Sequence, residues 1–254
     1  MKKILFILVS AIMLASCSKD SGDNTLNSFS GDSYSDGPAG QGGSLARFTI
    51  AMNHLYVVDN AKLYTYSLSN SINPQLTSTM QLGSDIETIY SYKDKLFIGS
   101  RSAMYIYSIS DASNPAQLGF ASHVRACDPV VANDSFAFVT VRSGSTCGGT
   151  FSALLVYDVR NLLSPSQKAT VTMESPYGLG MRGNRLYVCN GSNGLNIFDI
   201  TNRAQPLIIK KITGDTYHDV IATDNMLICM VKDGMIIYDY SSTDELVKMA
   251  KIGN

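Results

Sequence analysis

An aromatic or apolar anchor returns along this chain at Tyr56, Phe97, Phe138, Tyr187 and Ile228, at spacings of 41, 41, 49 and 41 residues. A second anchor is aromatic in every copy: Tyr66, Tyr107, Tyr157, Phe198 and Tyr238, spaced 41, 50, 41 and 40. Pro74, Pro115, Pro165 and Pro206 follow it at a fixed distance, whereas the fifth copy has Asp244-Glu245 in that region. The chain therefore holds five units of about 41 residues, the third with an insertion of eight or nine. A repeat of this length is one supersecondary unit that cannot bury its apolar face alone, so the copies must stack.

Each unit contains four short apolar runs separated by turn residues. In the second they are Ile86–Tyr92, Leu96–Ser100, Met104–Ser110 and Gln117–Ala121. In Tyr177–Ile200 a strand leads to a tight turn at Gly183-Asn184, a second strand at Arg185–Cys189, a Gly/Asn loop, and a third strand ending in Phe198-Asp199. Aromatic and β-branched residues at period two predict strands. Leu45–Asn254 shows no window of helical period. The expected fold class is all-β: a β-propeller of five blades, each of four antiparallel strands. A β-solenoid is the runner-up, but its repeats are usually shorter. The predicted blades are about 45–83, 84–123, 124–173, 174–213 and 214–254.

The third-strand segments LYTYSLSNSINP, MYIYSISDASNP, LLVYDVRNLLSP and LNIFDITNRAQP resemble the LVIVD repeat, named for a similar strand ending in Asp. Asp158, Asp199 and Asp239 keep that residue; Ser67 and Ser108 replace it. The resemblance implies a propeller of secreted and surface proteins and no agreed biochemical activity.

Ahead of the repeats, residues 1–16 read as a signal peptide. Lys2 and Lys3 precede an apolar run, Ile4–Met13, that is too short to span a bilayer. Leu14-Ala15-Ser16-Cys17 resembles the bacterial lipobox. That resemblance implies lipidation of Cys17, palmitate included, and anchoring of a soluble domain to a membrane without a spanning helix. Residues 17–44, rich in Ser, Gly and Asp, are expected to form a flexible, disordered tether. The Ser18-Lys19-Asp20 start is similar to signals that export lipoproteins to the cell surface, so the expected location is the outer membrane with surface display. Asp32–Gly37 faintly resembles a calcium loop but lacks its later glutamate, and reads as linker.

A net charge of −1 and the lack of a Lys/Arg cluster argue against nucleic-acid binding. Gly178, Gly180 and Gly183 match GxGxxG, but strands lie on both sides, so nucleotide binding is rejected in favour of tight packing near the axis. No cofactor or metal site is expected. His54 and His123 read as turn or packing residues. Cys127 and Cys147 are expected to form a disulfide in an oxidising compartment, holding the loop Arg142–Thr150 over the third blade. Cys189 and Cys229, out of step by one strand position, read as free buried thiols on opposite faces.

Counting back equally from the second-strand anchors gives Ala46, Glu87, Asp128, Tyr177 and His218, which must converge at one mouth of the channel. With neighbouring Arg47 and Asp219, and with Arg142 in the insertion, they form a candidate binding rim. The leading function is non-catalytic recognition of a protein or glycan, with no catalytic residues. The alternative is a carbohydrate-processing enzyme using Glu87 and Asp128, with Asp219 a third candidate, as paired carboxylates.

Overall fold

The computed structural model describes residues 43–123, 129–144, 150–240 and 245–253. The signal peptide, Cys17, the tether as far as residue 42, the Cys127–Cys147 pair and Asp128 lie outside the described residues.

Twenty strands form five four-stranded sheets, each antiparallel and in chain order. The first blade is β1 (Phe48–Ala51), β2 (His54–Val58), β3 (Lys62–Ser67) and β4 (Gln75–Gln81). The second is β5 (Ile86–Tyr92), β6 (Lys95–Ser100), β7 (Ala103–Ser108) and β8 (Ala116–Ser122). The third is β9 (Val130–Ala132), β10 (Phe136–Val141), β11 (Ala153–Asp158) and β12 (Ser166–Thr172). The fourth is β13 (Leu179–Arg182), β14 (Arg185–Cys189), β15 (Leu195–Asp199) and β16 (Leu207–Ile212). The fifth is β17 (Tyr217–Ala222), β18 (Met226–Val231), β19 (Gly234–Asp239) and β20 (Val247–Ile252). The protein is a five-bladed β-propeller. The long β10–β11 connection accounts for the wider spacing in the third unit.

The aromatic anchors mark a repeated irregularity. In every blade the register between third and fourth strands shifts at that residue: at Tyr66, Tyr107, Tyr157, Phe198 and Tyr238. Such a bulge bends the strand and increases its twist. A second repeated device fastens the end of the third strand to the turn between the first two. Backbone bonds run from Leu68 to Asn53, Ile109 to Asp94, Val159 to Ser135, Ile200 to Asn184 and Tyr240 to Asn225, N–H to carbonyl.

The strand-ending aspartate of the repeat has a local task. Asp158 and Asp199 accept the backbone N–H two residues on, from Arg160 and Thr201. Ser67 and Ser108 accept the equivalent N–H of Ser69 and Ser110 through their hydroxyls. Serine therefore replaces aspartate without changing the turn, because either side chain supplies the acceptor that this geometry needs.

The core lies between blades. One apolar cluster joins the first and second sheets, one the second to the fourth, and one the fourth and fifth. Cys189 and Cys229 are fully buried and free, and both belong to the cluster between the fourth and fifth blades. The expectation of opposite faces needs correction in its consequence. Opposite faces of consecutive blades look at each other, so the one-position offset brings the thiols into one interface. Burial pushes the Cys229 thiol up to about 12.

The glycines near the axis behave as close packing requires. A Cβ on Gly178 would lie 2.0 Å from Asp219 Oδ1, and one on Gly180 3.1 Å from the Val220 carbonyl oxygen. Gly183 takes φ +55° in the β13–β14 turn, where glycine is unstrained.

Candidate functional site

The first strands pack in sequence around the axis, β1 on β5, β5 on β9, β9 on β13 and β13 on β17, so their entrances share one mouth. Local backbone irregularities aim the side chains there. Between β5 and β6 the register skips Glu87, and between β17 and β18 it skips His218. Each is the extra residue of a bulge, freed from the ladder and turned toward the rim. Tyr177 precedes β13. Its N–H bonds the Cys189 carbonyl, and its own carbonyl accepts the Thr140 hydroxyl of the third blade at 2.6 Å.

Three candidate residues from three blades form one continuous shelf. The Arg142 guanidinium carbon lies 4.1 Å from the Tyr177 ring centre, and its Nη1 donates to the Tyr177 hydroxyl at 3.3 Å. The His218 ring meets Tyr177 edge-on, 5.0 Å between centres at 85°. Gly178 N–H donates to the His218 carbonyl, tying the two entrances together. Arg142, Tyr177 and His218 are all half-buried. Ser143 N–H and hydroxyl both reach the Ser152 hydroxyl at 3.1 Å, closing the neck of the third-blade insertion beside the shelf.

Across the mouth, Glu87 faces Arg101, with 3.6 Å between Oε1 and Nε, while Arg101 also reaches Asp85 at 3.4 Å. Burial raises the Glu87 pKa, opposed by the guanidinium groups of Arg101 and Arg47. Arg47 is exposed. Glu87 is thus already engaged by a cation.

Asp219 is placed differently from the rest of the rim. Its carboxyl lies against Gly43 and Gly178, accepts Val220 N–H at 2.9 Å and receives the Ser44 hydroxyl at 3.4 Å. Burial pushes it up to about 6, against the opposing hydrogen bonds of Val220, Leu45 and Ser44. Ser44 Oγ in turn accepts Leu179 N–H at 2.7 Å, and Ser44 is 1% exposed. The folded part therefore starts ahead of Leu45. This acceptor pair joins the segment entering the first blade to the fourth and fifth, and no composition signal in the Ser/Gly-rich stretch distinguishes Ser44. Thr140 and Arg101 also escaped sequence reasoning; each lies at an ordinary strand-end position.

Of the two histidines read as packing residues, His54 bonds the Met52 carbonyl and the Ser113 hydroxyl of the neighbouring blade. Next to the mouth, a polar cleft of about 430 Å³ is lined by Ser192, Gly214, Asp215, Thr216, Lys232 and Asp233.

Fold and mouth together define a five-bladed β-propeller with a rim built from unlike residues on like blades. Residues 178–213 match the LVIVD repeat, and residues 1–18 match the prokaryotic membrane lipoprotein lipid attachment site. The attachment site makes the chain a membrane-anchored protein of the cell envelope, and one unit of its five-bladed propeller matches the LVIVD repeat. No curated protein matches it. Among solved structures it is similar to the computationally designed Ika8 protein (10% identity, TM-score 0.58, 82% of this chain and 62% of that one). It is also similar to apo AztD from Citrobacter koseri (12%, 0.59, 80% and 60%) and to BamB from Moraxella catarrhalis (9%, 0.55, 74% and 56%). These likenesses concern the fold, and the chain spans about 60% of the length of the structures it matches.

Proposed function

We propose that this protein is a non-catalytic recognition propeller, held at the outer membrane by lipid on Cys17 and displayed at the cell surface. Its contact surface is the shelf of Arg142, Tyr177 and His218, with Arg47 and the Glu87–Arg101 pair across the mouth. The observation that carries this reading is the convergence of those three side chains, from separate blades, into one stacked array. A planar cation over an aromatic ring offers stacking area and directed donors without further ordering. Engagement of Glu87 by Arg101 supports binding over glycoside hydrolysis by the Glu87–Asp128 pair, which would need Glu87 available to the sugar. A disulfide between Cys127 and Cys147 would hold the insertion beside Arg142.

The test is a thermal-shift screen of the lipidated protein in detergent against glycan fragments and divalent metals, with product analysis of every hit. A ligand that stabilises the protein, survives unchanged and loses its effect in Arg142→Ala or Tyr177→Ala supports the reading. A ligand that is consumed overturns it in favour of the carbohydrate-processing alternative.

A further inference from the structure

The outer strands of the five blades are not alike. β4, β8 and β12 read QLTSTMQ, AQLGFAS and SQKATVT; together they hold one charged residue, Lys168. β16 and β20 read LIIKKI and VKMAKI. These two carry Lys210, Lys211, Lys248 and Lys251 and no acid. Between the lysines, Leu207, Ile208 and Ile209 are 66%, 50% and 47% exposed, and Val247, Met249 and Ile252 are 55%, 64% and 58% exposed. The two strands belong to adjacent blades. The middle of β16 and the approach to β20 share one cleft of about 230 Å³, where Ile209 and Lys210 meet Glu245 and Leu246. Lysines alone guard a sheet edge against pairing. Six exposed apolar side chains among them do the reverse, so edge protection does not account for the pattern.

We propose that the perimeter formed by β16 and β20 is a membrane-contact surface that lays the propeller edge-on against an anionic lipid bilayer. Exposed apolar side chains interspersed with lysines are what a lipid interface selects: the apolar groups enter the acyl boundary and the ammonium groups meet lipid phosphates. Lys251 also pairs with Asp215, and Lys211 lies near enough to Glu174 to lower its carboxyl pKa, so Lys210 and Lys248 carry most of the attraction. The lipid attachment site supplies the occupant, because an anchored chain is never far from a bilayer. Cys17 stands 26 residues ahead of Gly43, a reach of up to about 90 Å, enough for the perimeter to touch the surface. Edge-on contact leaves the Arg142–Tyr177–His218 mouth open to solvent. Membrane contact along this perimeter is independent of what the mouth binds.

The chain has no tryptophan, so a single introduced one reports its own surroundings. Lipidated Leu207→Trp and Met249→Trp proteins, with Leu76→Trp and Phe120→Trp as controls on other blades, are reconstituted in vesicles of phosphatidylethanolamine and phosphatidylglycerol (3:1). Parallel samples use phosphatidylcholine alone. Protein mass before reconstitution establishes lipidation separately. Positions 207 and 249 should shift to the blue and be quenched by brominated lipid, in the anionic vesicles and less at high salt, while 76 and 120 stay unquenched. Replacing Lys210 or Lys248 by Gln should lower the docked-to-free ratio roughly fivefold per lysine, and Lys211→Gln by less, because Glu174 already shares its charge. Equal quenching at all four positions, or none, overturns the proposal. So does a blue shift at 207 without vesicles that grows with protein concentration, which would mean that a second copy covers the strands.

Discussion

Ser44 Oγ lies 3.4 Å from Asp219 Oδ1 across 175 residues of chain, and this contact spans the boundary where the fifth blade follows the first around the axis. The other four boundaries are filled by apolar clusters. Here Phe48 and Ile50 of β1 remain 57% and 38% exposed, and Met230 of β18 remains 42% exposed. Closure therefore leans on a polar clasp near the axis.

Removing the clasp should weaken the whole ring. Ser44→Ala takes away the acceptor of the Leu179 N–H and a donor to Asp219 at once, leaving buried polar groups unpaired. The expected cost is about 1–3 kcal/mol, read as a lower denaturant midpoint. A midpoint unchanged from that of the parent would show that the clasp carries no closure energy.

The same carboxyl sets a pH dependence. Its folded pKa of about 6 lies above the ordinary 3.8, so the folded state holds the proton more tightly. That contribution is full below the unfolded value and is lost as pH rises through about 6. The stability difference between parent and Asp219→Asn should therefore shift against the parent by about 2 kcal/mol between pH 4 and 7. Urea titrations at several pH values check this; a difference independent of pH refutes it.

Within the fifth blade, the hydroxyls of Tyr217 and Tyr238 are 2.7 Å apart and buried. Burial raises the Tyr217 pKa strongly, and the partner hydroxyl adds to it. Tyr217→Phe and Tyr238→Phe should each cost about 1–2 kcal/mol, and the double variant less than the sum, because it leaves no orphaned hydroxyl. A double-mutant cycle by calorimetry measures the coupling.

The repeat aspartate should be exchangeable for serine. Both Asp199→Ser and Asp199→Ala strip Arg185 of its partner at 2.9 Å, but Ser keeps an acceptor for Thr201 N–H and Ala does not. Melting temperatures should fall in the order parent, Ser, Ala. An Ala variant as stable as Ser would refute the capping role.

Much of the fold was legible because repetition is visible without knowing any contact. Outside the third unit's insertion the anchor aromatics return every 40 or 41 residues, and strands and turns followed from alternation and from glycine chemistry at Gly183. The rim was legible in part: equal counting placed Glu87 and His218 at corresponding positions, and the structure gives both the same bulge. Counting could not reveal that Asp219 turns from the mouth to hold Ser44, since that needs a residue 175 positions away. It also read the Cys189–Cys229 offset as separation, whereas stacking of consecutive sheets makes it proximity.

By itself the sequence determined the local chemistry: strand period, turn acceptors, the number of units and the lipid attachment site. Each of these depends on residues within one repeat or one short motif. Only the tertiary structure decided which side chains meet. Arg142, Tyr177 and His218, like Lys210 and Leu246, are separated along the chain by whole strands or blades. Their proximity is set by the angle and distance at which neighbouring sheets pack, quantities that arise from many weak side-chain contacts at once and leave no signature in any single segment.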